Sequence, residues 1–154
     1  MSGEPGANRA DEVKRVCEEL WPANQSDCSA FVRAVAAKFK VTLSGNADAI
    51  VQEIKTAAGW ERLPDGAEAK NAADGGKLVV AGLAGSDEIP PVQHGHVVIV
   101  VAGLLDDAHG KYPTAYWGKL NGVGRENTTI NWAWKRADID RVIYAARAVE
   151  DDIS

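Results

Sequence analysis

Cys28, in the run Gln25-Ser26-Asp27-Cys28-Ser29-Ala30-Phe31-Val32, is the residue best placed to do chemistry. Ser26 and Asp27 are helix N-caps by type, which puts Cys28 in the first turn of the helix that follows. The positive end of the helix dipole favours thiolate over thiol there, and a thiolate is a strong nucleophile at neutral pH. Covalent catalysis also needs a base. The chain has three histidines, His94, His96 and His109, and the first two open the apolar run Val97-Val98-Ile99-Val100-Val101. A cysteine at a helix start and a histidine at a strand start can meet where the helix packs on the sheet. The pattern alone leaves a second reading of Cys28 open, that of a small buried hydrophobe, as free cysteines commonly are.

His94 and His96 flank Gly95 and at strand spacing point to one face. Two such residues could begin a metal site, but the sequence offers no third ligand, so general base is the expected role and no metal or cofactor is expected. His109, in the polar run Asp106-Asp107-Ala108-His109-Gly110, reads as a solvated loop residue. Cys17 falls at helical spacing with Val13, Val16 and Leu20 and reads as core. Trp60, Trp117, Trp132 and Trp134 read first as core anchors with satisfied indole N–H groups, and second as the wall of a groove. Trp132 and Trp134 alternate around Ala133, which makes one strand face aromatic.

The elements that must hold these residues follow from periodicity. Residues 11–20 form an amphipathic helix stopped by Trp21-Pro22. In the second helix Cys28, Phe31, Val32, Val35 and Phe39 share one face, so the thiol lies on the buried side at the helix mouth. Asn46 caps a third helix carrying Ile50, Val51 and Ile54, and Pro64-Asp65-Gly66 signals a turn. A short helix over 67–73 closes at Gly75-Gly76. Apolar runs then predict strands at 77–83, 97–101, 114–120, 130–134 and 142–149, with a loop over 84–93 and a polar connection over 106–111. Helices first and consecutive strands after them imply an α+β fold with an antiparallel sheet. Residues 1–10 are polar and expected to be disordered, leaving 11–154 as a single domain.

The chain has 154 residues, 45% of them apolar, which is enough for one core. A net charge of −5 argues against nucleic acid and against an anionic membrane as partner. No stretch approaches a membrane span, and the N-terminus lacks the apolar core of a signal peptide. The expectation is a protein made in the cytoplasm that either stays there or leaves without a signal peptide.

The Asp27-Cys28-Ser29-Ala30-Phe31-Val32 run resembles the Asp-Cys-Ser-Gly-Phe signature of the NlpC-type cell-wall peptidases, which are papain-like, with Ala30 in place of the usual glycine. Gly95-His96-Val97-Val98-Ile99-Val100 resembles their histidine strand. Closer still, the chain from about Trp21 to Val149 resembles the small amidase effectors of bacterial type VI secretion, particularly their first family. Gly45-Asn46-Ala47-Asp48-Ala49, Gly66-Ala67-Glu68-Ala69, Val80-Ala81-Gly82-Leu83 and Lys111-Tyr112-Pro113 contribute to that resemblance.

The resemblance implies a papain-like fold, with N-terminal helices packed on an antiparallel sheet, and a peptidoglycan amidase that cuts peptide stems in a competing cell's wall. Cys28 would be the nucleophile and His96 the general base. The segment around Tyr116-Trp117 would orient the imidazole, with Trp117 the third member by position. A backbone carbonyl is one group that the resemblance allows for this role; no Asn, Asp, Gln or His stands at Trp117 to supply a side-chain third member. The bond implied is γ-D-glutamyl–diaminopimelate, with the diaminopimelate–D-alanine cross-link as the alternative. The implied partners are the secretion apparatus and a periplasmic immunity protein, and the implied place of action is the target cell's periplasm. Two other readings stand beside it: a non-catalytic binding domain, and a housekeeping peptidase of the producer's own wall.

Overall fold

The computed structural model describes residues 5–106 and 111–149. Three helices come first: α1 (Pro5–Asn24), α2 (Cys28–Lys38) and α3 (Ala47–Thr56). A short strand β1 (Glu61–Leu63) and helix α4 (Gly66–Asp74) precede β2 (Leu78–Leu83), β3 (His96–Val100), β4 (Thr114–Trp117) and β5 (Arg125–Thr129). A single-turn helix α5 (Arg136–Ile139) leads to β6 (Ile143–Arg147). The six strands form one sheet in the order β1-β6-β2-β3-β4-β5, antiparallel at every pairing. The α+β class with an antiparallel sheet is therefore as expected.

Residue alternation assigns the two faces of this sheet. Leu78, Val80, Val97, Ile99 and Tyr116 point to α1–α3, where Phe31, Val32, Val35, Ile50 and Ile54 meet them. Val79, Ala81, Val98, Val100 and Trp117 point the other way, to Ala69 and Ala73 of α4 and to Ile130, Trp134 and Ile139. β2 and the last four residues of β3 are thus buried on both faces, which is why they read as unbroken apolar runs. Burying each such side chain stabilises the fold by roughly 1.5–3 kcal/mol before entropy is counted.

Several boundaries differ from expectation. α1 begins at Pro5, inside the segment expected to be disordered, and it continues past Pro22 to Asn24. Pro22 stands close to the helix end, where side-chain amides take up carbonyls: Asn24 Nδ2 donates to Leu20 O (2.9 Å) and Gln25 Nε2 to Pro22 O (3.2 Å). The fourth of the expected strands, at 130–134, is a correction. Residues Ile130–Trp132 form a 3₁₀ turn, and the strand lies just before it at Arg125–Thr129. That strand is a polar edge with no apolar period, so hydrophobicity pointed past it to Ile130 and Trp134, whose separation is one helical turn. β1 is likewise a polar edge strand and gave no apolar signal.

Candidate active site

Asp27 sets the position of Cys28. Its backbone is extended (φ −152°, ψ 108°), and its Oδ1 accepts from the Ala30 N–H (3.1 Å) and the Ser29 hydroxyl (3.0 Å). The helix therefore starts at Cys28, as its cap predicted. The loop before it is docked on the end of β4. Gln25 O accepts from Lys119 N (3.1 Å) and Gly124 N (2.8 Å), and Trp21 Nε1 donates to Trp117 O (2.9 Å). Gly118 permits the approach: a Cβ there would stand 2.2 Å from Asn24 O.

Cys28 is 2% exposed, at the floor of a cleft of about 340 Å³ that His96 also lines. Burial pushes its thiol pKa up, and the Asp27 carboxylate adds to the rise, while the backbone N–H groups of Val97, Ser29 and Cys28 oppose it. The net direction is upward, with loss of water the largest contribution. The Val97 contact carries a second message, because it puts the sulfur against the backbone next to His96.

His96 is the first residue of β3, paired with Leu83 of β2. The imidazole is half-buried, with one edge on the cleft, between two indoles. Trp134 lies 5.1 Å away between ring centroids at 67°, and Trp117 lies 6.4 Å away at 90°. These edge contacts restrict how the imidazole can rotate. Burial first, and the Lys119 ammonium second, push its pKa down to about 4. Burial thus works against the charged form of both groups. Charging them together by proton transfer is easier than charging either alone, because each charge offsets the desolvation of the other.

The low His96 value has a consequence for stability. The unfolded chain returns the imidazole to the usual 6.5, so between pH 6.5 and 4 the unfolded state binds more protons than the folded one. Stability is fully present above that window and falls as pH drops through it, by at most about 3 kcal/mol and by less because one ring edge is wet. Urea midpoints of the wild type should fall between pH 6.5 and 4.5 more steeply than those of His96→Gln. Equal slopes would mean that other groups carry the acid sensitivity.

The other expected site residues fall in different places. Trp117 approaches His96 through its ring, and its carbonyl accepts the Trp21 indole N–H. His94 lies ahead of β3, exposed on the rim of the same cleft. His109 lies outside the described residues. Trp132 is not core: it is 63% exposed, forms part of the cleft wall, and has the Arg125 guanidinium over its ring at 4.9 Å. Trp134 and Trp60 are core, but their indole N–H groups lack a hydrogen-bond partner among the described residues, contrary to expectation. Cys17 is fully buried, as its helical spacing indicated.

Three residues that sequence reasoning missed shape this cleft. Lys119 and Glu88 line it from opposite loops. Glu88 is held above its usual pKa by burial and by neighbouring Asp138. Asp138 is itself buried, and its Oδ1 accepts the Ile89 N–H (2.8 Å), which fastens the tip of the loop between β2 and β3. No sequence pattern marks a carboxylate that serves a loop 49 residues away.

No family model matches the chain. Among curated proteins it is similar to the peptidoglycan amidase Tse1 of Pseudomonas aeruginosa, with 38% identity over 143 residues that span 86% of each chain.

Proposed function

The chain belongs to the type VI secretion amidase effectors, the peptidoglycan amidase family that includes Tse1, and from that premise we propose that it is an antibacterial cysteine amidase of peptide stems. The observation that carries the chemistry is the convergence of Cys28 and His96 on one cleft. Cysteine at a helix mouth facing histidine at a strand start, across a helix-on-sheet contact, supports a papain-like fold of the NlpC type.

His96 takes the Cys28 proton as the sulfur attacks the scissile carbonyl carbon. Charge then passes to the carbonyl oxygen, which would accept from the backbone N–H of Cys28 and a neighbouring donor at the helix start. The imidazolium returns the proton to the leaving amine as the C–N bond breaks. Water, deprotonated by His96, opens the thioester and restores the thiol. The low basicity of the resting imidazole suits the second half of each proton transfer, when it must give the proton up.

The bond assigned is γ-D-glutamyl–diaminopimelate. Digestion of purified wall, followed by chromatography and mass measurement of the fragments, tests this. Release of fragments with a new diaminopimelate α-amine supports it. Fragments opened at diaminopimelate–D-alanine would move the cut to the cross-link. No cleavage by folded protein, with Cys28 no more reactive to iodoacetamide than Cys17, would leave a non-catalytic binding domain.

The cleft mouth also speaks to a protein partner. Val92 (45% exposed), Leu120 (42%) and Trp132 all line it, which leaves an apolar rim around the thiol. A periplasmic immunity protein that blocks this mouth is the reading these side chains support, and the target periplasm is the place where blocking matters. Expression with a periplasmic export signal should lyse a Gram-negative host. Expression without one should not, and co-export of the immunity protein should protect. Lysis from the cytosolic form would point to another substrate.

A further inference from the structure

Asp48, in the first turn of α3, reaches across to the loop between β2 and β3. Its Oδ1 accepts the Gly85 N–H at 2.9 Å and the Gly95 N–H at 3.0 Å. These two glycines are the two ends of the loop, so one carboxylate oxygen closes its neck. A third bond, Val92 N–H to Gly85 O (3.0 Å), folds the returning limb against the outgoing one.

The neck has no room for side chains. A Cβ on Gly95 would stand 2.5 Å from Leu83 O and 2.6 Å from Asp48 Oδ1, and one on Gly85 would stand 2.4 Å from Val92 O. Glycine at both positions lets two N–H groups converge on one acceptor. Hydrogen bonds to a carboxylate are among the stronger ones, and two on one oxygen set both its distance and its direction.

What this neck holds is the histidine side of the cleft. Gly95 immediately precedes His96, and Glu88, Val92 and His94, all in the loop, line the cleft with it. β3 is fixed along its length by pairing with β2, but its first residue stands at the ladder's end, where the chain can fray. We propose that Asp48 is a positioning residue for the catalytic pair, holding the Gly85–Gly95 neck so that His96 stands where it can take the Cys28 proton. The proposal rests on the amidase reading for its effect on turnover, and on geometry alone for its effect on the thiol.

The experiment compares Asp48→Ala, which removes both bonds, with Asp48→Asn, which keeps the Oδ1 acceptor. Two readouts are taken on each purified, folded protein: the iodoacetamide rate of Cys28 at neutral pH, and kcat and KM on purified stem fragments. In Asp48→Ala the alkylation rate should fall at least about tenfold. Its kcat should fall about a hundredfold, the cost of a misplacement near 1 Å, while KM moves less than about threefold. Asp48→Asn should recover both readouts to within about fivefold of the wild type. A purely structural role would lower the melting temperature and leave kcat of the folded fraction unchanged, and that result would overturn the proposal. Equal damage in Asp48→Asn and Asp48→Ala would overturn it too, since the acceptor would then not be what matters. Should Asp48→Ala not fold, Asp48→Ser withdraws the same acceptor while keeping a polar side chain in the first turn of α3. There, alkylation and kcat within twofold of the wild type would count against the proposal, and losses matching those expected of Asp48→Ala would support it. If the wild type cleaves no stem fragment yet alkylation responds as stated, the amidase reading fails and the positioning role stands.

Discussion

Cys28→Ala should reduce stem hydrolysis by at least about a thousandfold while the protein stays folded. The loss is large because the sulfur forms the covalent bond, and no other cysteine among the described residues borders the cleft. The fold should hold because the change removes one atom beside a cleft, at a helix start whose cap comes from Asp27. A cost of about 1 kcal/mol is the scale for such a change. Cys17→Ala is the control: Cys17 lies on the buried face of α1, and its loss should lower stability without touching kcat. Turnover of a Cys28→Ala protein with normal circular dichroism, at more than a few per cent of wild type, would sink the cysteine mechanism.

His96→Ala should be nearly as severe, because a nucleophile and its base act as one unit. Joining the two substitutions should then cost little more than either alone. The structure also makes an additional statement about the thiol. Burial disfavours the Cys28 thiolate, so its reactivity at neutral pH should depend on a base beside it, and His96→Ala should slow iodoacetamide strongly as well. His94→Ala should cost far less on both counts, since His94 is an exposed rim residue ahead of the strand. If His94 proves the sensitive one, the base has been assigned to the wrong histidine. The acid limb of kcat/KM should also lie below the usual histidine range, because burial and Lys119 both disfavour the imidazolium. Lys119→Met should move that limb upward; an unmoved limb would mean that the ammonium does not act on the imidazole.

How far the chain could be read before folding differs by feature. Two of the helix caps were legible residue by residue. Asp27 and Asn46 both cap through their own side chains, because capping is a local contact between a side chain and a backbone three positions on. The buried face of α2 and the two central strands were legible too, since burial on one or both sides writes itself into the apolar period. The edge strands were not, as β1 and β5 face solvent and carry no such period.

For the site, residue types and order picked out Cys28 with a histidine at 94 or 96, and the family resemblance singled out His96. Their local elements follow from short-range rules: a cap that starts a helix, and an apolar run that starts a strand. What the tertiary structure decided is everything that depends on distant neighbours. It placed both residues on one cleft, set Trp134 and Trp117 against the imidazole, and moved Trp132 from core to cleft wall. It set desolvation against the helix-start effect at Cys28, because the helix end is a local effect whereas desolvation is the sum of everything packed around the sulfur. It also made Asp48 a fastening for a loop 37 and 47 residues further along the chain. Such contacts leave no periodicity behind, since a single side chain meeting a remote backbone N–H is fixed only by how the whole chain folds.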